Sequence, residues 1–126
     1  MRLTREQILG AQTLPRELVP VPEFGGEVWV AVMPGIVRDA WERSMVTAGA
    51  PNLDNMRAKL VAACVVDDNG ERLFTEADID ALGQKNWMAL ERITKVAQRL
   101  NQLGDDAMEK IQGNSEPTRG GDSSSL

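Results

Sequence analysis

The chain contains no histidine and no tyrosine among its 126 residues. Histidine is the side chain whose ordinary pKa lies closest to neutrality, and it is the commonest nitrogen ligand for zinc or iron. Its absence removes the usual general base and the usual metal site. Chemistry here would have to come from carboxylates, lysine or the single cysteine, Cys64. The expectation is a protein that is not an enzyme and needs no metal or cofactor. One cysteine excludes an intramolecular disulfide and suits a reducing compartment. No stretch approaches the roughly 20 apolar residues that span a bilayer. The opening Met1-Arg2-Leu3-Thr4-Arg5-Glu6 lacks the apolar core of a signal peptide. A soluble, intracellular protein without a membrane partner is therefore expected. An excess of basic residues is missing too: 14 Lys and Arg against 19 Asp and Glu leave a formal charge of -5. Affinity for phosphate comes mainly from clustered cations, so no nucleic acid is expected as a partner.

What is present suffices for one folded domain, expected over residues 1–112. Apolar residues make up 42% of the chain, too many for a disordered protein. Thr4-Arg5-Glu6-Gln7 has the form of a capping box, with Leu3 and Ile8 as flanking staple residues. It predicts a short helix from Arg5 to Leu9, stopped by Gly10. Val28, Val30 and Val32 then alternate with Trp29, Ala31 and Met33, and their β-branched content favours a strand. Gly25-Gly26 supplies positive-φ positions for a hairpin turn. Pro20 and Pro22 make the first arm a short edge strand. The second strand is apolar on both faces, one for the helices and one in want of a partner.

Helical periodicity follows. Val37, Ala40, Trp41, Met45 and Ala48 form one stripe that ends at Gly49. Ala50-Pro51 is a break, and Asn52 is placed to cap a second helix bearing Leu53, Met56, Leu60, Ala63 and Cys64. A polar turn at Asp67-Asp68-Asn69-Gly70 leads to another capping start at Thr75, then a short helix closed by Gly83. The longest helix is expected from about Gln84 to Leu103, with Leu90, Ile93, Ala97 and Leu100 inward and Lys85, Arg92, Lys95 and Arg99 opposite. Gly113 to Leu126 has almost nothing to bury and reads as a disordered tail. The fold class is α+β and predominantly helical: a short helix, a β-hairpin, four helices and a tail.

Most candidate sites have plain structural readings. With Gly70 at the sixth position of a calcium loop, Val65 would fall where a carboxylate is required, so the turn is an ordinary one. Cys64 lies on an apolar stripe and is expected in the core. The acids from Asp67 to Asp80 sit in a turn or a first helical turn, where negative charge is favoured. Surfaces for a partner are the better candidates. Phe24 and Trp29, with Val28 and Val30 beside them, combine aromatic anchors with an open sheet edge. Lys85, Arg92, Lys95 and Arg99 form a basic face that suits an acidic partner.

The order of these elements resembles the tail assembly chaperones of long-tailed, siphovirus-type bacteriophages and prophages. The similarity runs through Leu3-Thr4-Arg5-Glu6-Gln7-Ile8-Leu9, then the hairpin from Val21 to Val30 (VPEFGGEVWV). It continues with Arg38-Asp39-Ala40-Trp41-Glu42, Arg57-Ala58-Lys59-Leu60-Val61, the segment from Asp67 to Ile79 (DDNGERLFTEADI) and Leu90 to Leu100. It covers roughly residues 3 to 103, and the spacing of the pieces carries more weight than any one of them. The resemblance implies a protein of the host cell cytoplasm that is absent from the mature virion. It would coat the tape measure protein and help recruit tail tube protein subunits around it. Many such proteins are extended by a programmed translational frameshift, which a free C-terminal tail would suit. Self-association is compatible with coating a long client, and the two-faced strand Val28 to Met33 is the expected place for it. Two other readings share the composition: a structural tail or head–tail connector subunit kept in the virion, and a small cytoplasmic adaptor or regulator acting through the basic helix.

Overall fold

The computed structural model describes residues 1–11 and 14–103. The expected tail from Gly113 lies outside the described residues, as does the end of the domain expected at residue 112. Helix α1 (Arg5–Gly10) precedes a hairpin of β1 (Arg16–Val21) and β2 (Gly26–Ala31). Then come α2 (Gly35–Ser44), a small hairpin of β3 (Val46–Thr47) and β4 (Ala50–Pro51), α3 (Met56–Cys64) and β5 (Val65–Val66). Helices α4 (Ile79–Gly83) and α5 (Trp87–Leu100) complete the order. The fold is α+β, with a hairpin and four helices after it.

The main sheet is antiparallel in the order β1-β2-β5, so β1 is an edge as its prolines predict. The Val32 amide donates to the Pro15 carbonyl at 2.9 Å, which sets the alternation of the ladder. With Arg16 opposite Ala31 and Leu18 opposite Trp29, the backbone polar groups of Arg16, Leu18 and Pro20 point away from β2. Pro20 therefore sits where its missing N–H breaks no ladder bond. The turn differs from expectation at one glycine. Gly25 is left-handed at φ 76, after a 3-10 turn at Pro22–Phe24, whereas Gly26 is already in β2 and needs no positive φ.

Alternation along the strands sorts the side chains into two faces. Val19, Val21, Val28, Val30 and Val65 face the helices, and all but the half-buried Val28 are buried. Helix α3 is the centre of the core: Ala58 and every residue from Leu60 to Cys64 are buried, so it has no wet face to signal its orientation. Helix α5 lies across the sheet with Ala89, Leu90, Ile93 and Ala97 inward, on the stripe its spacing predicts. Trp41 and Met45 close the α2 side.

Element boundaries depart from the periodicity where caps intervene. Helix α2 ends at Ser44 instead of running to Gly49, because Ala48 (φ 53) and Gly49 (φ 79) form the turn of the β3–β4 hairpin. Asn52 does not cap α3. Its side chain accepts from the Asp54 amide, and Asn55 (φ 53) is the cap residue. Helix α5 is shorter than Gln84–Leu103: Gln84 follows the end of α4, Asn86 caps the Met88 amide at 2.9 Å, and Asn101 ends the helix. Lys85 thus lies in the α4–α5 connection and not on the basic face of α5. The Thr75 capping box is present as expected, with Asp78 closing it.

Cys64 is buried beside the Asn101 side-chain amide at 3.6 Å, and burial pushes its thiol up to about 12. It is a core residue.

Candidate interaction surface

The basic side chains of α5 are not free. Arg92 donates to both carboxylate oxygens of Glu23 at 2.9 Å, and Arg99 reaches Glu17 at 2.6 Å. Lys95 lies 3.6 Å from Glu91, which also accepts from Arg57 at 2.7 Å. The sheet explains why. Glu17 lies on the helix-facing side of β1 and Glu23 on the hairpin turn, so two acids of the hairpin meet two cations of α5. The contacts run in opposite senses along the two elements, so α5 is antiparallel to β1. The N-terminus of α5 therefore lies at the hairpin tip. Arg92 and Arg99, each half exposed or more, thus pair with acids of this chain's own hairpin.

These ion pairs respond to acid in a calculable direction. The hydrogen bond from Arg92 holds the Glu23 carboxyl below its ordinary value of 4.5, and the bond from Arg57 does the same for Glu91. A carboxylate with a depressed folded-state pKa contributes stability that is complete above its unfolded value and lost as pH falls through the folded one. The thermal midpoint of the wild-type chain should therefore fall as pH drops below 4.5. The variant Arg57→Gln/Arg92→Gln should lose less over the same window, although it starts lower. Parallel pH profiles for the two chains would show that these ion pairs contribute nothing.

Trp29 and Val30 are placed differently from the expectation of a partner-binding strand. Strand β2 is paired along its length by β1 and, on its other side, by β5 at Trp29 and Val30, which leaves Gly26 to Val28 without a strand partner there. Val30 is 0% exposed and belongs to the core. Val28 is half-buried against the same core. Trp29 lies on the outer face, yet its cover comes from within the chain. The Arg16 guanidinium stacks 4.3 Å from the ring centroid, and the indole N–H donates to Asp68 Oδ1 at 2.9 Å. Arg16 also donates to the Asp67 and Asp68 carbonyls at 3.1 Å, which binds the polar turn to the hairpin. In that turn Asp67 Oδ1 accepts from the Asn69 and Glu71 amides. It is a self-satisfied turn, and among the described residues no group of acids, cysteine or histidine is clustered for a metal.

Exposed apolar side chains also stand at the hairpin tip and at the start of α5, which the Glu23–Arg92 bond places at the same end of the fold. Phe24 is 49% exposed, Trp87 60% and Met88 47%. Large apolar side chains exposed at one end of a fold are candidates for an interaction surface. Phe24 lies at the hairpin tip, half exposed. Trp87 stands three residues before Leu90 and seven before the buried Thr94, so its spacing reads as a continuation of the inward stripe and does not mark it as exposed. The Arg57 guanidinium lies 5.8 Å from the Trp87 ring and leaves most of it open. The rim is charged: Arg92, Glu23 and the exposed Lys85. An exposed end with aromatic side chains and an ionic rim suits protein binding.

No protein-family model matches the chain, and no curated protein matches it either. Among solved structures, the fold is similar to that of the bacteriophage HK97 tail assembly chaperone, with a TM-score of 0.55 over 75% of this chain and 90% of that one, at 20% identity. That likeness is one of fold.

Proposed function

We propose that this protein is a phage tail assembly chaperone, which binds the tape measure protein and helps recruit tail tube subunits during tail morphogenesis without catalysing a reaction. The observation that carries the reading is the exposed Phe24–Trp87–Met88 end on a fold shared with such a chaperone. A long helical client that would aggregate alone is matched by an apolar, aromatic surface with an adaptable methionine. The work is done in the host cytoplasm, and the protein is absent from the finished virion. The rival readings gain less support. An adaptor acting through the basic helix would need free cations, and Arg92 and Arg99 are already bound to Glu23 and Glu17.

Co-expression with the tape measure protein of the same phage tests the reading. The wild-type chain should raise the soluble fraction of the tape measure protein and co-purify with it. Phe24→Ala/Trp87→Ala should keep its helical signal but lose about tenfold or more in affinity, the effect of removing aromatic anchors from an interface. If the tape measure protein stays insoluble and unbound beside the wild-type chain, the chaperone reading fails. Finding the protein in purified virions would move the connector reading ahead.

A further inference from the structure

A groove on the outer side of the sheet carries positive charge that its own lining does not neutralise. Its cavity volume is about 540 Å³, and its lining includes Ala31, Ala63 and Val66 together with Arg16 and Arg72. Arg16 spends Nη1 on the carbonyls of Asp67 and Asp68, and Arg72 spends Nε and Nη2 on the carbonyl of Ala62. Carbonyls are neutral acceptors, so these bonds fix both guanidinium groups in place and leave their charge. Among the described residues Arg16 has no carboxylate within ion-pair distance, and Arg72 has only Glu76, 3.7 Å away and 75% exposed. The acids of the adjoining turn are engaged elsewhere. Asp67 Oδ1 accepts from the Asn69 and Glu71 amides, and Asp68 Oδ1 from the Trp29 indole. Guanidinium groups held beside an apolar floor favour a ligand that alternates carboxylates with aliphatic side chains, because charge-assisted bonds to Arg are roughly twice as strong as neutral ones.

A segment of that composition follows in the sequence. Residues 104–112 read GDDAMEKIQ, so that Asp105, Asp106 and Glu109 interleave with Ala107, Met108 and Ile111. Its point of departure adjoins the groove. Asn101 donates to the carbonyl of Ala31 at 3.3 Å, and Ala31 belongs to the groove lining. The neighbouring cavity, lined by Asn101 and Gln102, shares Val32 with the groove. At ~3.3–3.6 Å per residue, residues 104–112 can reach roughly 30 Å, several times the width of a cavity of this volume.

We propose that residues 104–112 of this chain bind in its own outer-face groove, with Asp105, Asp106 and Glu109 toward Arg16 and Arg72 and with Met108 and Ile111 on the Ala31–Ala63–Val66 floor. Carried on the same chain, the segment meets the groove at an effective concentration in the millimolar range, so weak contacts suffice. Another acidic segment gains the groove only by displacing this one. The contact uses neither Phe24 nor Trp87, and so stands or falls apart from the client reading.

Paramagnetic labelling of the full-length chain tests it. A nitroxide attaches to the introduced thiol of Gly113→Cys and spares Cys64, which is buried. The amide signals of Ala31, Ala63, Val66 and Gly70 should broaden, and those of the hairpin tip and the start of α5 should not. Adding Asp105→Lys/Asp106→Lys/Glu109→Lys to the labelled chain should restore the groove signals. The same triple change in an unlabelled chain should make it bind an added peptide of residues 104–112 about tenfold more tightly than wild type does, because the wild-type segment competes from its tether. Arg72→Glu should also restore the groove signals, and the triple variant keeps the test readable if Arg72→Glu fails to fold. Groove signals that stay sharp in the labelled wild-type background overturn the proposal, as does broadening that survives the triple change. Equal peptide affinity in the two chains overturns it as well. Mixing an isotope-labelled chain with a nitroxide-bearing chain that lacks isotope reads occupancy by a second copy. Broadening there as strong as within one chain replaces the proposal with exchange between copies.

Discussion

Asn101→Ala should be among the most destabilising single changes in the molecule, by about 3 kcal/mol, because it leaves buried backbone groups without partners. The Asn101 side chain is buried at the end of α5. Its carbonyl accepts from the Met33 amide at 2.8 Å, and its amide donates to Ala97 O at 2.9 Å and to Ala31 O at 3.3 Å. Its own backbone carbonyl accepts from Arg38 at 3.1 Å. One residue thus joins the last turn of α5 to the end of β2 and the start of α2. Alanine strands the Met33 N–H and the Ala31 C=O in an apolar setting, at ~1–3 kcal/mol for each unsatisfied group. A chain of this size has only about 5–15 kcal/mol in total. The thermal midpoint should fall by roughly 10–20 °C, read by circular dichroism. Asn101→Asp should do no better: it keeps the acceptor for Met33, loses both donors and buries a carboxylate. A loss below about 1 kcal/mol for Asn101→Ala would mean that water reaches these groups, and that the joint is not dry as its burial indicates.

Asn101 also shows which parts of the fold could be read in the sequence. Periodic signals translated well: the Val28–Val30 alternation became β2, the Leu90–Ile93–Ala97 stripe became the buried face of α5, and the Thr4 and Thr75 capping boxes both formed. Each depends on neighbours within a few residues. Asn101 bonds to Ala31 and Met33, some seventy positions away, and nothing local in its segment separates it from a solvated helix end. The ion pairs of α5 failed to show for the same reason. Arg92 and Arg99 look like a free basic face until the hairpin lays Glu23 and Glu17 beside them. Strand β2 misled in another way. An apolar strand with two apolar faces reads as one in need of a partner protein, but β5, only two residues long, pairs with it at Trp29 and Val30. Arg16 covers Trp29 on the outer face. Short strands carry too little pattern to be read from sequence, and here one of them decides which surface is free.

Val30→Asp and Phe24→Asp should therefore have opposite consequences, although the sequence placed both residues in one binding surface. Val30 is 0% exposed between the sheet and the helices, with no donor or cation assigned to its side chain. A carboxylate there would lose its hydration without a partner, and unpaired buried charge costs on the order of several kcal/mol even after the pKa shifts to neutralise it. That approaches the whole stability of the chain, so Val30→Asp should be recovered unfolded or insoluble. Val30→Ala, which only leaves a small cavity, should fold with a loss of about 1–2 kcal/mol. Phe24 is half exposed at the hairpin tip, and Phe24→Asp should leave stability within about 1 kcal/mol of wild type. It should nevertheless abolish capture of the tape measure protein, because a charge at the centre of an apolar patch opposes desolvation. Urea denaturation followed by pull-down separates the two effects on the same samples. A folded Val30→Asp chain that has lost only client binding would return β2 to the interface and show that the core is not packed as described. A folded Phe24→Asp chain that still captures client would move the binding surface away from the hairpin tip, with Trp87 and Met88 no longer sharing it.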